Sequence, residues 1–360
     1  CYRAQIGTIH SFCASVLREN CQSLGLPPSF RVIDDERAGA MRERVLDRVL
    51  DEKYETVESN PAFRMLADTV GAGRDDSRLA GVLLSLYEKL LAHPYPEKWA
   101  HEQADAMELS GAADAAQCPW GREIMEETLR SVSSWGRRME NALDDVLTSD
   151  EKTARAYSAG FSEALTSLRS FEAALSGSSW DAAREKSEIS FPRLGALRSP
   201  EDPELAARVK EVREGCKKAA QSWRSTFAED SAALISGVRL MAPAMRELLE
   251  TLLQFHRAFS AEKRRGGWLD FSDLEHMTLE LLRERETGAP TPLARELSRR
   301  FTEIMVDEYQ DVNEVQDLLF SAVSREGKNL FTVGDVKQSI YRFRLADPTI
   351  FLRKYDRFSA

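Results

Sequence analysis

The chain has 360 residues, 42% of them hydrophobic and 30% charged, with a formal net charge of -10. That is an ordinary globular balance with room for two domains. No apolar run approaches the roughly 20 residues that a bilayer span requires, and Cys1-Tyr2-Arg3-Ala4-Gln5 has neither the apolar core nor the cleavage pattern of a secretory leader. The acidic total weighs against a general nucleic-acid binder, but the charge is uneven. From Lys328 to Ala360 seven Lys/Arg face three Asp/Glu, a local +4 that leaves -14 for the rest. The five cysteines (Cys1, Cys13, Cys21, Cys118, Cys216) are scattered without a CxxC pair, which suggests neither a zinc site nor a disulfide framework and fits a reducing cytoplasm.

Residues 1–35 open with Gly7-Thr8-Ile9-His10-Ser11-Phe12 and a short helical pattern in which Phe12, Val16 and Leu17 share a face. Leu26-Pro27-Pro28 ends it. Arg31-Val32-Ile33-Asp34 reads as a brief extended segment, with Asp34 or Asp35 as N-cap of the next helix. Residues 36–268 read as helix after helix: Met41, Val45 and Val49; Val82, Leu83, Leu86 and Leu90; Met245, Leu248, Leu249, Leu252, Phe255 and Phe259. A stretch from Ser176 to Pro203, rich in Gly, Ser and Pro, predicts an irregular and mobile loop. Residues 269–360 change style. Asp270-Phe271-Ser272-Asp273-Leu274 starts a helix, and two short apolar runs, Ile304-Met305-Val306 and Leu330-Phe331-Thr332-Val333, each lead into acids. Such runs, separated by a helix-length segment, predict parallel strands of an α/β sheet, whose ligands sit beyond the strands' carboxyl ends.

Three constellations carry candidate chemistry. Val306-Asp307-Glu308-Tyr309-Gln310-Asp311 places two acids at a strand end, where one could serve a hard divalent cation and the other an attacking water; an acidic turn is the plain alternative. Gly334-Asp335-Val336-Lys337-Gln338 forms a turn with a side-chain amide able to donate and accept, and Tyr341-Arg342-Phe343-Arg344 interleaves aromatic rings with guanidinium groups, as single-strand binding uses. Core aromatics and surface arginines would look the same. Thr8 and His10 could contact a phosphate or sugar, although a helix N-cap accounts equally for the threonine. The remaining histidines lack ligand spacing, and the six tryptophans read as core or interface residues.

Taken in order, Thr8–Phe12, Asp270–Leu274, Asp307–Asp311 and Gly334–Arg344 resemble the motif series of UvrD/Rep-type superfamily 1 DNA helicases. Leu345-Ala346-Asp347-Pro348-Thr349-Ile350-Phe351 looks especially like the AddA group of helicase–nuclease subunits in double-strand-break repair. The resemblance covers the two chain ends; the helical middle matches only the position of that family's insertion domain. It implies a partial RecA-like α/β motor domain, a parallel sheet built from both ends, with a large all-α domain inserted. It implies ATP and Mg2+ as cofactors, and as partners an AddB-like subunit together with single-stranded and duplex DNA. Asp307 would bind Mg2+, Glu308 would orient or deprotonate the attacking water, Gln310 and Gln338 would contact the γ-phosphate region, and Arg344 would belong to the nucleotide site. Phe343 would stack on single-stranded bases with Tyr341 close by, and Thr8 and His10 would touch the DNA backbone. Family members often carry Trp where Phe343 stands.

A phosphate loop, GxxxxGK followed by Ser or Thr, is absent; Gly327-Lys328-Asn329 is the nearest string. The later family motifs and a nuclease domain are also missing. The expectation is therefore a fragment that begins after the phosphate loop, stops after the third motif, and has no appreciable ATPase alone. Two rival readings remain: a helicase-derived DNA- or partner-binding module without ATPase activity, and a helical scaffold with an α/β cap.

Overall fold

A computed structural model describes residues 4–71, 77–109, 111–338 and 348–359. The chain is mostly helical, with two small parallel sheets. Its helices are α1 (Ile9–Glu19), α2 (Asp35–Glu55), α3 (Pro61–Gly71), α4 (Ser77–Leu91), α5 (Pro96–Ala106), α6 (Pro119–Leu147), α7 (Glu151–Ser176), α8 (Trp180–Lys186), α9 (Pro203–Thr226), α10 (Ser231–Arg265), α11 (Phe271–Leu282), α12 (Pro292–Arg300), α13 (Glu314–Val323) and α14 (Pro348–Ser359). The strands are β1 (Arg31–Val32), β2 (Trp268–Leu269), β3 (Ile304–Val306) and β4 (Leu330–Thr332). Among the described residues no helix is long and apolar enough to cross a membrane. The chain divides into two compact units, one of Cys1–Asp105 with Pro243–Ala360 and one of Ala106–Ala242. Helices α2 to α4 therefore group with both chain ends.

In the first unit, helix starts follow their side-chain caps. Thr8 Oγ1 accepts the Ser11 N–H at 3.2 Å, and Asp34 accepts that of Arg37 at 2.8 Å, each satisfying a backbone donor that the first turn leaves without a partner. At α11, Asp270 and Asp273 form a reciprocal capping box. Strand β1 pairs in parallel with β2, Arg31 opposite Trp268 and Val32 opposite Leu269, so the two flanks of the helical middle meet. The turn into β2 uses Gly267 at φ +69°, a left-handed position suited to glycine after a helix. One core of this unit packs α1 against α11, α12 and α13 through Leu17, Leu274, Leu279, Leu297 and Leu319, all buried. Each such leucine contributes about 1.5–3 kcal/mol of apolar burial, which fixes α1, α11 and α13 as one scaffold.

A buried charged cluster closes the end of α10. Lys263 Nζ lies 2.6 Å from an Oδ2 of both Asp270 and Asp273. Burial alone would raise Asp270, but Lys263 holds it below the usual carboxyl value; burial and then the Asp270 charge push Asp273 up.

The second unit has its own core, with Phe161, Leu168, Phe171, Trp180, Cys216 and Phe227 buried between α6, α7, α8 and α9. The stretch from Ser176 to Pro203 departs from the expected loose loop. It contains α8, capped by Ser179 and anchored by buried Trp180. The irregular part is pinned where the Gly195 N–H donates to the Ala156 carbonyl at 2.9 Å and the Arg213 guanidinium donates to the Pro192 carbonyl. A Cβ on Gly195 would sit 2.9 Å from that Ala156 oxygen, so the glycine serves a close backbone approach to α7 rather than looseness.

Candidate functional site

Strands β3 and β4 pair in parallel, with Ile304 opposite Leu330, Met305 opposite Phe331 and Val306 opposite Thr332. The ladder continues past their ends: the Val333 N–H donates to Val306 O at 2.9 Å and the Tyr309 N–H to Val333 O at 2.8 Å. The two acid-bearing turns thus emerge side by side at the carboxyl edge of the sheet, the place where open α/β sheets bind ligands.

After β3, the Asp307 Oδ1 accepts the Glu308 N–H at 2.9 Å. Glu308 is left-handed, φ 52° and ψ 41°, a costly conformation for a residue with a Cβ that clusters at functional turns. A short 3-10 turn, Tyr309–Asp311, follows. Gln310 is only 1% exposed. Its Nε2 donates to Glu308 Oε2 at 2.7 Å, and its Oε1 accepts the Asp335 N–H at 2.9 Å. Asp335 in turn accepts from the Lys337 N–H at Oδ1 and from Gln338 Nε2 at Oδ2, both at 3.0 Å. A continuous hydrogen-bonded run therefore links Glu308, Gln310, Asp335 and Gln338, while Asp307, Glu308, Asp335 and Gln338 stay exposed. Gly334 makes this approach possible, since a Cβ there would lie 2.5 Å from Gln310 Oε1 and 3.1 Å from the Gln310 backbone N.

The turn is braced from its other side. The buried Tyr309 hydroxyl donates to Asp317 Oδ1 at 2.6 Å, and Lys354 Nζ lies 2.9 Å from the same oxygen. Burial and then Asp317 push the Tyr309 phenol well up, so it stays a donor. Its ring packs with Phe320 and Phe351, which ties α13 and α14 to the turn. Asp311 Oδ1 is buried without a hydrogen-bond partner among the described residues, and burial and then Glu308 raise that carboxyl.

The structure brings Asp307, Glu308, Gln310 and Gln338 together. Thr8 and His10 lie at the start of α1, where Thr8 serves as N-cap and the His10 ring packs tilted against Phe271, centroids 4.4 Å apart, with its Nε2 3.0 Å from Glu275 Oε1. Tyr341, Phe343 and Arg344 lie outside the described residues. Sequence reasoning missed the linking roles of Gly334 and Asp335, although both belonged to the quoted turn, and it missed Glu275, whose only sequence signal is its place four residues after Phe271. Among the described residues no group of three or more His, Cys, Asp or Glu is placed to hold a metal ion. A cation here would have Asp307 and few other protein ligands, as suits Mg2+ that keeps waters and phosphate oxygens, not a structural metal cage.

Residues 1–359 match the model of the UvrD/REP helicase N-terminal domain. The chain belongs to this family. This helicase domain is 36% identical over 99% of its length to AddA of Geobacillus kaustophilus, an ATP-dependent helicase/nuclease subunit, and covers 29% of that protein. It is also 36% identical, over 99% of its length, to the protein of the same name from Heliobacterium modesticaldum, of which it covers 27%. The Pelotomaculum thermopropionicum protein of that name is 35% identical, again over 99% of the chain. The domain thus spans under a third of the curated relatives it matches.

Proposed function

We propose that this helicase domain works within a longer ATP-dependent helicase/nuclease subunit, as part of the motor that unwinds DNA by translocating on single strands in double-strand-break repair. Residues 1–35 and 269–360 form the motor part, with β3 and β4 belonging to a RecA-like parallel sheet, and residues 36–268 form the inserted helical part. The observation that carries this reading is the hydrogen-bonded run from Glu308 through Gln310 and Asp335 to Gln338. Paired Met305 and Phe331, 71% and 62% exposed, support a larger sheet, because such a face suits cover by further chain.

In this reading Asp307 would hold Mg2+, which would supply positive charge to the phosphates of a bound nucleotide. Glu308 is engaged by Gln310 at Oε2, which leaves Oε1 to orient a water and accept its proton. Gln338 meets the terminal phosphate, and a shift of its side chain reaches Glu308 through Asp335 and Gln310. Arg344 completes the nucleotide side, and Thr8, His10, Tyr341 and Phe343 serve DNA. An AddB-like subunit is the expected partner and the bacterial cytoplasm the expected location.

The test is Asp307→Asn in the relatives-length protein, which is expected to abolish DNA-stimulated ATP hydrolysis. Undiminished hydrolysis would contradict the reading. The second reading is a DNA- or partner-binding module without ATPase activity. A phosphate loop encoded shortly upstream in the gene decides for the motor.

A further inference from the structure

Helix α11 grips His10 on two sides. Phe271 and Glu275 are four residues apart and so share a helix face. The Phe271 ring lies 4.4 Å from the His10 ring, and Glu275 Oε1 lies 3.0 Å from His10 Nε2. Glu275 is itself 5% exposed, on a helix whose Leu274, Met277, Thr278 and Leu279 are also buried. The same Oε1 accepts from Gln316 Nε2 at 2.7 Å. A leucine would fill this space without desolvating a carboxyl group, and burying one is costly unless donors are supplied. The donor supplied is the α13 residue Gln316, and His10 Nε2 lies beside the same oxygen.

The rest of the α1 first turn is already committed. Thr8 Oγ1 accepts the Ser11 N–H, and the Ser11 hydroxyl donates to the Thr8 carbonyl at 2.7 Å. His10 Nδ1 has no hydrogen bond among the described residues, and the side chain is 32% exposed. With Nε2 fixed by Glu275 and one ring face against Phe271, the orientation of the ring is determined and Nδ1 is its polar group left for an outside partner.

We infer that Glu275 is a positioning residue for DNA: it holds His10 so that an Nδ1–H donates to a phosphate oxygen of the DNA backbone, and through Gln316 it fastens that contact to α13, the helix that follows the Asp307–Glu308 turn. This rests on the reading of His10 as a DNA-backbone contact. A carboxyl group that served packing alone would affect folding stability and leave the contribution of His10 to DNA affinity unchanged.

A double-mutant cycle separates the two. The 360-residue chain, with His10→Ala, Glu275→Leu and both together, is titrated against fluorescein-labelled oligothymidylate by anisotropy, with thermal unfolding measured on each variant. Leu fills the space and removes the carboxyl oxygens that face His10 and Gln316. Contacting pairs in such cycles couple by several-fold, so Glu275→Leu is expected to weaken binding about fivefold when His10 is present and not at all when His10 is Ala. Equal weakening in both backgrounds, or an effect of His10→Ala with none of Glu275→Leu, overturns the inference alone. No binding by the chain, or no effect of His10→Ala, removes the DNA role of His10 and the inference with it.

Discussion

Gln310 Oε1 accepts the backbone N–H of Asp335 at 2.9 Å, so one buried side chain joins the turn after β3 to the turn after β4. The same amide donates to Glu308 Oε2, and its two ends are therefore both used. Replacing Gln310 by Ala removes the acceptor of the Asp335 N–H, a loss of about 0.5–1.5 kcal/mol, the net value of a typical hydrogen bond. Urea unfolding of Gln310→Ala is expected to show a loss in this range; unchanged stability would mean that the two turns are independent.

Burial lowers the His256 imidazole to about 4, with Lys263 adding to the effect, from an ordinary 6.5. The ring stays neutral near the Tyr87 hydroxyl, 3.3 Å from Nδ1. Between these values the unfolded chain binds the extra proton, so the stability from His256 is present above 6.5 and is lost as pH falls toward 4. The swing is roughly 3 kcal/mol at 1.36 kcal/mol per pKa unit. Denaturation of wild type and His256→Gln between pH 7 and pH 4, values that bracket the titration, is expected to show a flatter profile in the variant. Parallel profiles would count against a buried neutral ring.

Lys263 is the one cation in hydrogen-bonding reach of both Asp270 and Asp273 among the described residues. Lys263→Met keeps the length of the side chain and leaves two carboxyl groups, 15% and 16% exposed, uncompensated, a cost of up to about 3–5 kcal/mol, the scale of a broken buried pair. The deficit is expected to shrink on acidification, because without Lys263 the folded carboxyls take up protons above their ordinary value of 3.8. Equal deficits at neutral and acid pH would indicate that packing dominates.

Local signals read well in the sequence. Of the two cap candidates Asp34 and Asp35 it is Asp34 that caps α2, a helix starts in the Asp270–Leu274 segment as expected, and the apolar runs ending in acids are β3 and β4, paired in parallel. What local pattern cannot encode is who meets whom at long range. The β1–β2 ladder joins Val32 to Leu269, two-residue strands too short for any periodicity, and its register depends on the turn at Gly267. The orientation of the Gln310 amide depends on Asp335 from another strand. In α4 the inward face is set by Leu79, Leu83, Tyr87 and Leu90 while Val82 is 36% exposed, so the run Val82-Leu83 hid the true phase of the helix. Helix α8 was hidden among Gly, Ser and Pro because it is anchored by buried Trp180 and Ala183, through tertiary contacts.

The most direct measurement of the proposed motor is Glu308→Gln in the relatives-length protein, with ATP binding and DNA-stimulated hydrolysis measured side by side. Gln keeps the acceptor for the Gln310 amide and removes the base, so nucleotide binding is expected to persist while hydrolysis falls by at least about 100-fold, the scale of a lost general base. Hydrolysis at the wild-type rate would contradict the account.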